Sequence, residues 1–200
     1  MRYLFPLIIV FSIFVHPLNS LAEEVILAGG CFWCLEHDLE SVKGINSVQS
    51  GYSGGDLQKP TYENHFGHQE VVLVDYDPEL ISLSEILRLY MRNVDPLDDG
   101  GQFCDRGDSY RPVIFFDDTN QEKESKRALI SASKELGVPL EKIAVELKSK
   151  GQFWLAEDYH QDFAERNELK YKFYRFSCGR DQKLDKLWED KARSIELWSE

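Results

Sequence analysis

Glu24-Val25-Ile26-Leu27-Ala28-Gly29-Gly30-Cys31-Phe32-Trp33-Cys34-Leu35 is the stretch on which the fold turns. Its first five residues, apolar from Val25 on, read as a short buried strand, and the two glycines end that run tightly. From Cys31 to about Val42 the apolar residues Phe32, Leu35 and Leu39 recur at helical spacing, leaving Glu36, Asp38 and Glu40 for the wet side. The stretch therefore reads as strand, glycine turn and helix, with a cysteine at the first helical turn.

Downstream, residues 44–52 and 69–76 read as two more strands, separated by a Gly- and Pro-containing loop over 53–67 and closed by Asp77-Pro78. Ser82 or Ser84 caps an amphipathic helix running to about Asn93, and residues 95–108 form a loop rich in Gly and Asp. A fourth strand is expected over 110–116, a helix over 120–136 ended by Gly137 and Pro139, a fifth strand over 143–148 and a last helix over 184–197. The order β-α-β-β-α-β predicts an α+β fold, a two-layer α/β plait with a ferredoxin-like core and an additional C-terminal loop and helices. No repeat or linker divides it, so residues 23–200 are expected to form a single domain.

Residues 1–22 read differently. Arg2 precedes an apolar run from Leu4 to Val15, and Ser20-Leu21-Ala22 has the small-x-small ending of a cleavable secretory signal. The run is too short for a comfortable bilayer span of ~20 residues. Cleavage after Ala22 is the expectation, with a periplasmic or secreted product; a retained anchor is the competing reading. Removal of that segment takes Arg2 and no acid, leaving 22 basic against 35 acidic side chains, a formal charge of −13 where the full chain has −12. Such a balance opposes non-specific binding to nucleic acid or anionic lipid.

Four cysteines are too few for a disulfide-built scaffold, and their placement says more than their number. A cysteine at a helix start gains from free backbone N–H groups and the helix dipole, so Cys31 is expected to be acidified and nucleophilic. Cys34 lies one turn on, within reach of a disulfide with Cys31. The same Cys-x-x-Cys spacing serves half a zinc site, but no second Cys-x-x-Cys or His-x-x-x-His completes it, and no metal or organic cofactor is expected. A general thiol-disulfide oxidoreductase and a binding module with purely structural cysteines are the rival readings.

Gly30-Cys31-Phe32-Trp33-Cys34, then Pro60-Thr61-Tyr62, Gly67-His68-Gln69-Glu70-Val71-Val72, Asp105-Arg106-Gly107-Asp108-Ser109-Tyr110-Arg111 and Ala156-Glu157-Asp158-Tyr159-His160-Gln161 follow one another in an order that resembles the peptide methionine sulfoxide reductase A family. The resemblance implies an oxidoreductase in which Cys31 attacks the sulfur of methionine-S-sulfoxide, free or within oxidised proteins, and becomes a sulfenic acid later captured as a disulfide. It assigns Glu70 as the acid, Tyr62 and Tyr110 as hydroxyl donors, Asp105 as a supporting carboxylate, and Phe32 and Trp33 as the wall for the substrate methyl. A sulfoxide oxygen leaves only when protonated or strongly hydrogen-bonded, which gives those groups their purpose. His68 reads as structural, Cys104 has no assigned step, and both Cys178 and Cys34 are open as the resolving cysteine. A thioredoxin-like thiol donor is the implied partner and external reductant.

Overall fold

The computed structural model describes residues 22–198, so the signal-like segment, but for Ala22, lies outside the described residues. In chain order the elements are β1 (Glu23–Ala28), α1 (Phe32–Glu40), β2 (Ile45–Ser53), β3 (Gln69–Tyr76), α2 (Leu83–Met91), the short ribbon β4 (Gly101–Gln102) and β5 (Asp105–Arg106), β6 (Val113–Phe116), α3 (Thr119–Glu135), β7 (Glu146–Ser149), β8 (Trp154–Leu155), α4 (Phe163–Arg166), α5 (Glu168–Cys178) and α6 (Arg180–Trp188). Six strands form one sheet in the order β7-β6-β1-β3-β2-β8. Its middle four, β6-β1-β3-β2, pair antiparallel and are the expected plait. β7 adds to β6 in parallel after the α3 crossover, and β8 adds to the far edge on β2.

The period of two decides what faces the helices. Val25 and Leu27 of β1, Val72, Val74 and Tyr76 of β3 and Ile114 of β6 join Phe32, Leu35 and Leu39 of α1 and Ile86, Leu87 and Tyr90 of α2 in the main core. Their neighbours Ile26, Ala28, Val71, Val113 and Phe115 face the other way into a smaller cluster. Counting back from Val72 by two places Glu70 on the helix side, beneath the start of α1. The antiparallel register sets Tyr52 opposite it.

Several expectations move. β6 starts at Val113 because residues 108–110 coil into a short 3₁₀ turn, and β7 starts at Glu146, whose N–H reaches the Pro112 carbonyl. The last helix is α6, ending at Trp188, where Glu189 turns to a positive φ of 52°. An additional helix, α5, precedes it. Its apolar residues Leu169, Phe173 and Phe176 face solvent, while Tyr171, Tyr174 and Cys178 face the protein, so the usual amphipathic pattern is inverted. Glu36 is not on a wet face: it is buried against β2 and the segment entering α4.

Candidate active site

The turn between β1 and α1 is built on Gly30, whose φ of +84° is the left-handed region that glycine occupies freely. A Cβ there would stand 2.7 Å from the Cβ of Gln102. Cys31 follows as the N-cap of α1, with φ −56° and ψ 122°. The first N–H of the helix, on Phe32, donates to Glu70 Oε2 at 3.1 Å. Strand, glycine turn and helix start thus bring a thiol and a carboxyl together from two strands of the sheet.

All seven residues expected around the chemistry, Cys31, Phe32, Trp33, Tyr62, Glu70, Asp105 and Tyr110, line one cavity of about 40 Å³, and Tyr174 of α5 joins them. That space admits the end of a side chain. Glu70 is 1% exposed. Burial pushes its carboxyl up to about 8, and nearby Asp105 adds to the rise, while the Phe32 N–H and the Tyr110 hydroxyl pull it back in part. Oε1 of Glu70 is buried and has no hydrogen-bond partner among the described residues. A protonated acid with one uncommitted oxygen therefore faces the cavity at neutral pH. The phenol groups of Tyr62 and Tyr110 are also held as donors, their pKa values raised by burial and by Glu70.

The acidity expected at Cys31 is not found. The thiol is 6% exposed. Burial pushes its pKa well up, a hydrogen bond to Cys34 and the charges of Cys34 and Glu70 add to the rise, and the Tyr174 hydroxyl opposes it. The helix N–H that would have favoured a thiolate is given to Glu70 instead. Cys34 moves the other way, held down by its hydrogen bond with Cys31 and by the charge of Arg180. Cys31 and Cys34 are both free thiols, in contact with each other.

Cys104 and Cys178, isolated in sequence, are joined in a disulfide that ties the β4–β5 ribbon to the end of α5. Cys178 is therefore not a free thiol, which counts against it as the resolving residue. Cys104, Asp105 and Cys178 are the one group of possible metal ligands among the described residues, with ligand atoms within 4.8 Å of one another, but its two sulfurs are bonded to each other.

Supporting residues explain the placement. Trp33 Nε1 donates to His160 Nδ1 at 3.0 Å, and the indole stacks on Phe163 at 3.7 Å. Accepting at Nδ1 leaves the neutral imidazole proton on Nε2, and burial lowers the His160 pKa, favouring that neutral form. Glu157 accepts from the Tyr62 N–H and the Tyr52 hydroxyl, each at 2.9 Å, and so fixes the loop that carries Tyr62. His68 bonds only its own loop, to Gly55 N–H and the Leu57 carbonyl, in keeping with a structural role. Arg180 is buried beneath the glycine turn, donating to the carbonyls of Gly29 and Asn93. Tyr174 and Arg180 were not legible as site residues; only their nearness to Cys178 in sequence hinted at them.

A cysteine sharing a small cavity with a protonated carboxyl and phenol donors defines a cysteine-dependent oxidoreductase. The model of the family "Peptide methionine sulfoxide reductase" matches residues 23–192. The chain belongs to that family, and it reduces methionine sulfoxide. "Peptide methionine sulfoxide reductase MsrA 2" of Rhizobium meliloti is 41% identical over 194 residues, covering 96% of both chains. The protein of the same description in Caulobacter vibrioides is 45% identical over 170 residues, covering 83% of this chain and 85% of that one. Among solved structures, methionine sulfoxide reductase A of Corynebacterium diphtheriae superposes with a TM-score of 0.67 at 28% identity, covering 76% of this chain and 78% of that one. Reduced Mxr1 of Saccharomyces cerevisiae gives 0.68 at 28% identity, covering 75% of this chain and 88% of that one.

Proposed function

We propose that the chain reduces the S epimer of methionine sulfoxide, with Cys31 as nucleophile and Glu70 as acid. One observation carries the reading: the uncommitted, protonated carboxyl of Glu70 and the Cys31 thiol open on the same cavity. The substrate methyl rests on Phe32 and Trp33, and its oxygen turns toward Glu70, Tyr62 and Tyr110. Cys31 sulfur attacks the sulfoxide sulfur as Glu70 protonates the oxygen. Methionine departs, and Cys31 keeps the oxygen as a sulfenic acid. Asp105 steadies the start of α1 through the Cys31 N–H.

Cys34 then attacks the sulfenic sulfur, a Cys31–Cys34 disulfide forms, and water leaves. Contact between the two free thiols supports this choice over Cys178. A thioredoxin-like dithiol restores the pair. Residues 23–200 act as a single catalytic domain, and the leader ending at Ala22 exports it to the periplasm or beyond, where it repairs oxidised proteins. The sequence of residues 1–22 supports export, and among the described residues no helix is long and apolar enough to cross a membrane.

The test is turnover of short peptides carrying each sulfoxide epimer, with dithiothreitol as reductant. The S peptide is expected to be consumed, the R peptide spared and Cys31→Ser inert. Normal turnover by Cys31→Ser, or equal consumption of both epimers, contradicts the reading.

A further inference from the structure

Tyr174 is the one residue of the cavity whose chemistry the mechanism above leaves unused. Its hydroxyl donates to Asp105 Oδ2 at 2.6 Å and faces the Cys31 sulfur. Its ring meets Trp33 edge-on at 5.8 Å. The helix that carries it is fixed at its far end, where Arg175 bonds Asp38 and Asp181 and Cys178 is bonded to Cys104. The Asp105 carboxylate also accepts from the backbone N–H of Cys31. A single phenolic O–H therefore stands between a carboxylate and a sulfur, and each needs it when charged.

We propose that Tyr174 is a catalytic residue that passes the thiol proton of Cys31 to Asp105 and then holds the thiolate with its own O–H. The S–H bond breaks, that proton goes to the Tyr174 oxygen, and the phenol's former proton goes to Asp105. No electron changes owner. Asp105, now a neutral acid, donates back to the Tyr174 oxygen, while Tyr174 donates to the sulfur. The inference rests on Cys31 as the attacking group of the proposed function. It supplies what that reading lacks, a way for a buried thiol to present a thiolate.

The other groups facing these atoms do not serve as well. Glu70 is the acid for the sulfoxide oxygen, and Tyr62 and Tyr110 are donors to it. Arg180 favours the charged form of Asp105, yet burial outweighs it and the Asp105 carboxyl is raised overall, which suits it to receive a proton. Cys34 is the remaining acceptor beside Cys31, so the test removes it.

In a Cys34→Ser chain, the rate at which iodoacetamide alkylates Cys31 is followed from pH 5.5 to 9.5 by mass spectrometry of the peptide. Adding Tyr174→Phe is expected to slow alkylation about tenfold at pH 7 and to move the pH curve up by about one unit. Adding Asp105→Asn is expected to do the opposite. Asn already carries the donor that Asp105 has only after taking the proton: its amide oxygen keeps the Cys31 N–H, its N–H donates to the Tyr174 oxygen, the phenol proton is left for sulfur, and the thiol proton leaves to solvent. Equal slowing by both variants, as a merely structural role would give, or no change with Tyr174→Phe, overturns the proposal. If Tyr174→Phe does not fold by circular dichroism, the sign of the Asp105→Asn effect alone decides, and slowing overturns it. No sulfoxide is present in this experiment. A chain that alkylates as expected yet reduces no methionine sulfoxide would sink the proposed function and leave this inference standing.

Discussion

Cys31 and Cys34 occupy one turn of helix, yet their surroundings divide the work between them. Burial and the hydrogen bond with Cys34 hold the Cys31 proton, while Cys31 itself and Arg180 make the Cys34 thiol the easier one to ionise. A thiol of that kind suits the second step, attack on a sulfenic sulfur. After one turnover without reductant, the native chain is expected to contain a Cys31–Cys34 disulfide by peptide mapping. Cys34→Ser is expected to leave a sulfenic acid on Cys31 that dimedone traps. A Cys31–Cys178 disulfide in the native chain would show that the second pair opens and that Cys178 resolves instead. At this scale the motifs named residues that the fold gathers around one cavity, because side-chain chemistry is written directly in residue types. Their protonation was not legible. The protonation of Cys31 follows its depth of burial and the competing claim of Glu70 on the Phe32 N–H, both of which depend on distant segments.

At the scale of elements, the glycine turn between β1 and α1 does most of the positioning. Gly30 accepts a positive φ and leaves room for Gln102, whose own side chain bonds both the N–H and the carbonyl of Asp95 at 2.8 Å. Gly30→Ala adds a left-handed strain of ~1–2 kcal/mol and a methyl group where Gln102 already stands. The expected outcome is a lower urea midpoint together with a larger loss in activity than the stability change explains, because Cys31 is the next residue. Native activity in a destabilised Gly30→Ala chain would mean that the turn does not set the nucleophile. This unit was legible because strand, Gly-Gly and helical spacing are local signals. α5 was not legible: it turns Leu169, Phe173 and Phe176 to solvent, and its inward side is Tyr171, Tyr174 and Cys178. Leu169, Phe173 and Phe176 do recur at helical spacing, but that apolar stripe faces solvent, so the pattern points to the wrong side of the helix as the buried one.

At the scale of the whole molecule, Glu36 and Glu70, each 1% exposed, have carboxyls pushed up chiefly by burial, to about 7 and about 8. Their unfolded values lie near ~4.3. Each group therefore adds stability that is complete below that value and is lost as pH rises through the folded one. The contribution of these two groups is expected to fall between about pH 4.5 and 8. Urea unfolding at intervals from pH 5 to 9 measures it: the native midpoint should decline across that window, and Glu36→Gln should flatten part of the decline. An identical decline in Glu36→Gln would remove Glu36 from the account. The plait itself was readable from the order of elements, since the periods of strand and helix alternate cleanly as far as α3. The burial of Glu36 was not, because the segment that covers it lies more than a hundred residues away in sequence, beside Asp162.

The pairing of Cys31 with Glu70 is tested most directly by the pH dependence of single-turnover reduction of a methionine-S-sulfoxide peptide. The native chain should give a bell whose two limbs belong jointly to the thiol and the carboxyl. Glu70→Gln should be slower by roughly a hundredfold or more and should lose the alkaline descent, its rate only rising with pH. A Glu70→Gln chain that keeps the full bell at the native rate would contradict the account.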